Sequence, residues 1–191
     1  PILDSWWKII QKSGKKNIHK AAAKEMGKKR FVETNKPFPL TDVQYAYKIG
    51  RADGEELGGV GCHAYLEFDG EGVSAEKLEK AWNAVQKHHP MLRARFLENG
   101  QQEIMDVPYK DNIEVKDLRD CQDFEKYLEE TRKELSHRKL RVEAGQVAGI
   151  TLSLLPNGKT RIHFDLDLLV ADVQSLQIIL KDLASAYEGK K

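Results

Sequence analysis

Residues 147–175 read VAGITLSLLPNGKTRIHFDLDLLVADVQS, and their reading decides the fold class. Two runs of mostly apolar, β-favouring residues, about 147–155 and 159–168, flank Pro156–Asn157–Gly158. Asn-Gly between two such runs is the strongest short-range signal for a β-hairpin. Three carboxylates, Asp165, Asp167 and Asp172, stand in or beside the second run. A buried carboxylate is costly unless it is paired or hydrogen-bonded. Asp165 and Asp167 are two apart and share one face of a strand. Asp172 falls at a strand-to-helix junction, where a carboxylate can cap the helix and meet the positive end of its dipole. On pattern alone two readings stand: a helix cap beside two acids on a solvated face, or a functional group of acids.

Outward from this stretch, the pattern alternates helix and strand. A last helix runs from near Asp172 to about Tyr187, with Leu176, Ile178, Ile179, Leu183 and Ala186 inward. Ahead of the hairpin, residues 122–140 predict an amphipathic helix with Phe124, Tyr127, Leu128 and Leu135 inward, and 112–118 a short strand. Residues 91–97 and 101–106 predict a second hairpin. Ser74 caps a helix to about His88, with Leu78, Ala81, Trp82 and Val85 inward, and Pro90 stops it. Residues 59–68 predict a strand that turns at Asp69–Gly70. Thr41 caps a helix through Val43, Tyr45 and Tyr47 toward Arg51. Hairpins mixed with strand–helix–strand steps predict an α/β two-layer sandwich, a mixed β-sheet covered by helices.

The chain has 191 residues, the size of one domain with or without a tail. Residues 1–36 hold ten Lys/Arg against three acids, while the remaining residues carry a net charge of −6. Pro37 and Pro39 cannot sit inside a helix, so the domain is expected to span 37–191. Residues 1–36 read as a basic linker or N-terminal extension, helical over 4–29 with a break at Gly14. Its bases are spread around the segment, which argues for a solvated extension over a nucleic-acid or membrane contact. No run approaches the ~18–20 apolar residues of a spanning helix, and no secretory signal is visible. Cys62 and Cys121 match no disulfide framework or zinc spacing, and a reduced, cytoplasmic compartment fits best. His88 and His89 are adjacent on a helix end, where neighbours point in different directions, so no metal site is expected.

Three blocks carry a family resemblance. DLLVADVQS at 167–175 resembles the DxxxxDxxS motif of heterocyclization domains of non-ribosomal peptide synthetases, with Asp167, Asp172 and Ser175 on its fixed positions. PFPLTDVQYAYKIGR at 37–51 is similar to their opening FPLTxxQxAYxxGR motif. HPMLRARF at 89–96 is similar to their HPMLRxxF block. Ser136, His137 and Leu140 also fit. The resemblance covers about 37–188 in the family's order. It implies one lobe of a chloramphenicol acetyltransferase-like fold, the amino-terminal half of a condensation-type domain. Ordinary condensation domains carry HHxxxDG here, and Leu168 stands where their second His would be. A Leu cannot be a general base.

The resemblance implies an enzyme part that joins a carrier-bound acyl donor to carrier-bound Cys, Ser or Thr and cyclodehydrates the product to a thiazoline or oxazoline. It implies Asp167, Asp172 and Ser175 as catalytic residues, with Asp172 in a scaffold role paired to Arg93 and Asp167 facing the substrate channel. Arg93 and Arg95 are expected on the same side of one strand. No directly bound cofactor and no metal are implied, the substrates arriving on phosphopantetheine arms. The implied partners are upstream and downstream carrier proteins, a C-terminal lobe and an adenylation domain, with no nucleic acid or membrane. The lobe alone is expected to be inactive. Two alternatives remain open at this point: a coenzyme A-dependent acyltransferase of the same fold, for which His163 lies four residues too early, and a non-catalytic interaction module.

Overall fold

The hairpin read around Asn157–Gly158 forms the two inner strands of the larger sheet. In a computed structural model, which describes residues 36–51, 59 and 61–190, strands β6 (Ala148–Leu154) and β7 (Lys159–Asp167) pair antiparallel from Leu154↔Thr160 to Ala148↔Leu166. Asn157 and Gly158 close the turn in left-handed backbone, at φ 59° and 73°, where Asn and Gly are the tolerated residues. The basic head and its expected helices lie outside the described residues.

Strand β2 (His63–Glu71) flanks β7 on its other side, antiparallel, and β5 (Glu114–Asp117) joins β6 in parallel. The resulting sheet, in order β2-β7-β6-β5, is mixed, as the alternation of elements implies. A smaller sheet pairs β1 (Phe38–Pro39), β4 (Gln101–Ile104) and β3 (Ala94–Phe96) in the order β1-β4-β3. Four helices complete the described chain: α1 (Asp42–Gly50), α2 (Ala75–His88), α3 (Phe124–His137) and α4 (Val173–Tyr187).

Local signals place the helix starts. Thr41 and Gln44 form a reciprocal capping box on α1, and Ser74 accepts from the Lys77 N–H at the start of α2. The inward residues of α2 (Leu78, Ala81, Trp82, Val85) and of α4 (Ile179, Leu183) form one core with Ile150, Leu152, Ile162, Phe164 and Leu166 of the sheet. Trp82 meets Phe164 edge-on, with ring centroids 5.8 Å apart. Helix α3 lies against the opposite face, over β2 and β7.

Four expectations are corrected. Strand β2 starts at His63 and runs through Asp69–Gly70 to Glu71, turning at Gly72 instead. Pairing with β7 over Asp69↔Arg161, Gly70↔Thr160 and Glu71↔Lys159 outweighs the local turn propensity. Pro90–Arg93 forms a single 3-10 turn, because Pro favours the first helical position, so β3 begins only at Ala94. Arg93 and Arg95 therefore do not share a strand. Tyr127 and Ile178 are exposed, the inward stripes of their helices being carried by Leu128, Thr131 and Leu135 and by Ile179 and Leu183.

Candidate functional site

Strand alternation sends Ile162, Phe164 and Leu166 toward α2 and α4, and Arg161, His163, Asp165 and Asp167 to the other face. That second face is a row of ionisable groups, and it is not solvated. Asp165 and Asp167 are 2% and 1% exposed. Each is therefore obliged to find partners, and each finds them on another element.

Asp167 ends β7 and begins the motif loop. Its Oδ2 accepts from Arg51 Nη1 at 2.5 Å, and its Oδ1 accepts from the Leu169 N–H at 3.1 Å. The Arg51 side chain is itself 4% exposed and also donates to the Leu140 carbonyl. Lys139 Nζ donates in turn to the Arg51 carbonyl at 2.5 Å. Burial raises the Asp167 pKa, and the Leu169 N–H and Arg51 oppose that rise. Gly61 makes room for this pair, since a Cβ there would lie 3.1 Å from Arg51 Nη1.

The loop after Asp167 is held from the same side. Leu168 N–H donates to the Cys62 carbonyl at 2.9 Å, and Gln44 Nε2 donates to the Leu169 carbonyl at 2.8 Å. Gln44 and Gln102 exchange amide hydrogen bonds of 3.0 and 2.8 Å behind it. The block at 37–51 thus reaches the motif through two residues, Gln44 and Arg51.

Asp165 forms an ion pair with Arg138, at 2.6 Å to Nη2 and 2.7 Å to Nε. Burial raises the Asp165 pKa, against the Arg138 charge. Gly149 sits across from Asp165, and a Cβ there would approach Asp165 Oδ1 to 2.9 Å and Arg138 Nη2 to 3.2 Å. Two residues back, His163 is buried between Tyr65 and Ser153. Tyr65 Oη donates its one hydrogen to Glu67 Oε1 at 2.8 Å. His163 Nδ1, 2.7 Å from Tyr65 Oη, must then be the donor, and Nε2 accepts from Ser153 Oγ at 3.1 Å. Burial pushes the His163 pKa down to about 4, so the ring is neutral near pH 7. Burial works to raise Glu67, but hydrogen bonds from Arg132 and Tyr65 hold it below the usual range. Burial and Glu67 together raise Tyr65.

The other end of the motif is open. Asp172 is exposed and caps α4, accepting from the Ser175 N–H at 2.7 Å, and this bond and the Ser175 side chain lower its pKa. The expected ion pair with Arg93 is not formed. Arg93 donates instead to backbone carbonyls, Gln86 at 3.2 Å, Met105 at 2.7 Å and Asp106 at 3.4 Å. The reason is position: the 3-10 turn sets Arg93 at the β3–β4 end, beside the carbonyls of Met105 and Asp106. The expected burial is also reversed, since Asp167 is the desolvated, guanidinium-paired acid and Asp172 is the accessible one. The structure therefore brings Asp172 and Ser175 together and separates both from Arg93. Sequence reasoning missed Arg51, Gln44, Arg138 and Gly149. The signal for the first was present, because a buried acid in the motif demands a cation and Arg51 closes the block at 37–51.

Comparison with known proteins follows the same lines. The condensation-domain family matches residues 59–191. A phenyloxazoline synthase, MbtB, of a Mycobacterium species is 44% identical over 155 residues, 80% of this chain and 13% of that protein. Pyochelin synthetase PchE of Pseudomonas aeruginosa is 38% identical over 189 residues, 98% of this chain and 13% of that protein. The chain thus spans about one eighth of the length of these relatives. Among solved structures, the cyclization-docking bidomain of the EpoB non-ribosomal peptide synthetase from Sorangium cellulosum superposes with a TM-score of 0.77 at 35% identity, over 82% of this chain and 32% of that one. The first condensation domain of the CDA synthetase shares the fold at 17% identity and a TM-score of 0.65.

Proposed function

This chain belongs to the condensation-domain family, and from that premise we propose that it is the amino-terminal lobe of a heterocyclization domain. The observation that carries the reading is the motif itself, Asp167–Leu168…Asp172…Ser175, with Leu168 at a position where a proton-transferring His would otherwise stand. The relatives named above, a phenyloxazoline synthase and a pyochelin synthetase, support the ring-forming branch.

The reaction is written as two steps. The amine of a carrier-bound Cys, Ser or Thr attacks the donor thioester, forming an amide and releasing the donor carrier's thiol. The side-chain thiol or hydroxyl then adds to the new amide carbon, and the former carbonyl oxygen leaves as water to give a C=N bond in the ring. Both steps need two tethered substrates held in line. Carrier proteins bearing phosphopantetheine, a second lobe and an adenylation domain are the partners this reading requires.

Within the motif the roles divide by environment. Asp167 is a positioning residue, since its carboxylate is consumed by Arg51 and the Leu169 N–H. Asp172 and Ser175 are the accessible members. The lowered pKa of Asp172 makes it an ionised acceptor near neutral pH, suited to orienting a donor group and poorly suited to carrying a proton. The residues at 1–36 remain a linker or extension in this proposal, with the lobe over 37–191.

The test is mass spectrometry of the product formed by the protein carrying this chain, given loaded donor and acceptor carriers. The expected product is the amide less one water. An uncyclised amide as the sole product would place the chain with ordinary condensation domains, and no transfer at all would favour an interaction module.

A further inference from the structure

Helix α2 ends on His88, and its capping residue His89 is extended, at φ −102° and ψ 100°. The 100° step between helical neighbours is therefore lost. The two imidazoles lie at right angles with centroids 4.9 Å apart, contrary to the divergence expected of adjacent residues. From the facing helix α4, Asp182 reaches the same place, its Oδ2 2.8 Å from His89 Nε2. One ligand atom from each of His88, His89 and Asp182 lies within 4.8 Å of the others.

We propose that His88, His89 and Asp182 form a binding site for a divalent late transition-metal ion of the zinc type. Two imidazoles and one carboxylate are a ligand set that suits Zn²⁺, Ni²⁺ or Cu²⁺, and they leave a fourth position to water. Metal–ligand bonds of ~2.0–2.2 Å put neighbouring ligand atoms a little over 3 Å apart, which small rotations of His88 and Asp182 reach. The carbonyl end of the 14-residue helix α2 points at the site, and its dipole favours a cation there. His88 is exposed and the other two are half-buried, so the ion has an entry path. The bound ion would tie the end of α2 to α4, the helix capped by Asp172 and carrying Ser175 in its first turn. The site is independent of the function proposed above.

The test uses the tag-free chain, stripped with a chelator and titrated calorimetrically with Zn²⁺. One saturable site is expected, together with a rise in Tm that saturates at the same stoichiometry. His88→Ala and Asp182→Asn should each weaken binding at least ~10-fold, the loss that even a supporting-shell change produces. His137→Ala should leave it unchanged. Titration with Co²⁺ separates this site from the free thiols of Cys62 and Cys121, which would announce themselves by a thiolate charge-transfer band. Absence of saturable binding, an unchanged affinity in His88→Ala, or a thiolate band would each overturn the proposal. Should Asp182→Asn fail to fold, His88→Ala, altering an exposed side chain, decides alone.

Discussion

On one face of β7, Ile162, Phe164 and Leu166 meet the side chains of α2 and α4. On the other, Arg161, His163, Asp165 and Asp167 meet partners drawn one by one from β2, β6, the segment after α3 and the end of α1. Apolar burial is non-directional, and any well-shaped hydrocarbon satisfies it. The polar face is different in kind. Arg51 pairs with Asp167 across 116 residues and Arg138 with Asp165 across 27, and neither guanidinium would be satisfied by a neighbour in sequence. The apolar face supplies cohesion, and the polar face fixes which distant segments lie beside the motif loop.

The largest effects should come from removing one member of either arrangement. Phe164→Ala is expected to cost ~3–5 kcal/mol in urea unfolding. Asp167→Ala should cost ~3–5 kcal/mol as well, because it leaves a buried guanidinium without its counter-ion. The faces then part company. Replacing both members, Asp167→Leu with Arg51→Met, should recover most of the loss, since a buried pair exchanged for hydrocarbon is often neutral or better. A small loss in Asp167→Ala, or no recovery in the double variant, would break the comparison.

A smaller, pH-dependent effect belongs to His163. Its ring titrates at about 4 in the folded chain against 6.5 as the ordinary value. The unfolded state therefore binds the proton first, and stability should fall as pH drops from about 6.5 to 4, by up to ~3 kcal/mol. Glu67 and Asp172, both lowered, add to the loss at the acid end, while Asp165 and Asp167, both raised, offset part of it. The check is the Tm of wild type and His163→Gln across this range. A flatter profile in the variant sharpens the assignment, and parallel profiles contradict it.

The smallest effect should be at the open end of the motif. Asp172→Ala removes a helix cap and should cost ~1 kcal/mol. It should do so additively with Arg93→Ala, because the two side chains do not meet. A loss as large as that of Asp167→Ala, or clear non-additivity with Arg93→Ala, would restore the paired arrangement that the sequence suggested.

The sequence announced the framework through local chemistry. Asn157–Gly158, the Thr41 and Ser74 caps and the period of α2 are all decided within a few residues, so they are readable in one pass. The motif could be located for the same reason, and its two acids could be placed on strand and helix cap. Their environments could not be read. Whether Asp167 or Asp172 is desolvated depends on what Arg51 and α3 cover, and those are long-range facts. Arg93 misled because a single 3-10 turn, induced by Pro90, moved it off the strand on which alternation would have set it beside Arg95. Gly149 carried no signal at all until the ion pair it accommodates was seen.

The turn at Pro156–Asn157–Gly158 has a consequence for how such lobes can change over time. It sets the phase of β7 against β6, and in a strand phase has only two values. Losing or gaining one residue there would exchange the faces, carrying His163, Asp165 and Asp167 under α2 and α4 and turning Phe164 toward the guanidinium of Arg138. Substitutions around the motif can be tried singly by evolution, but the length of this connection cannot drift by single steps. It behaves as a reading frame for the sheet.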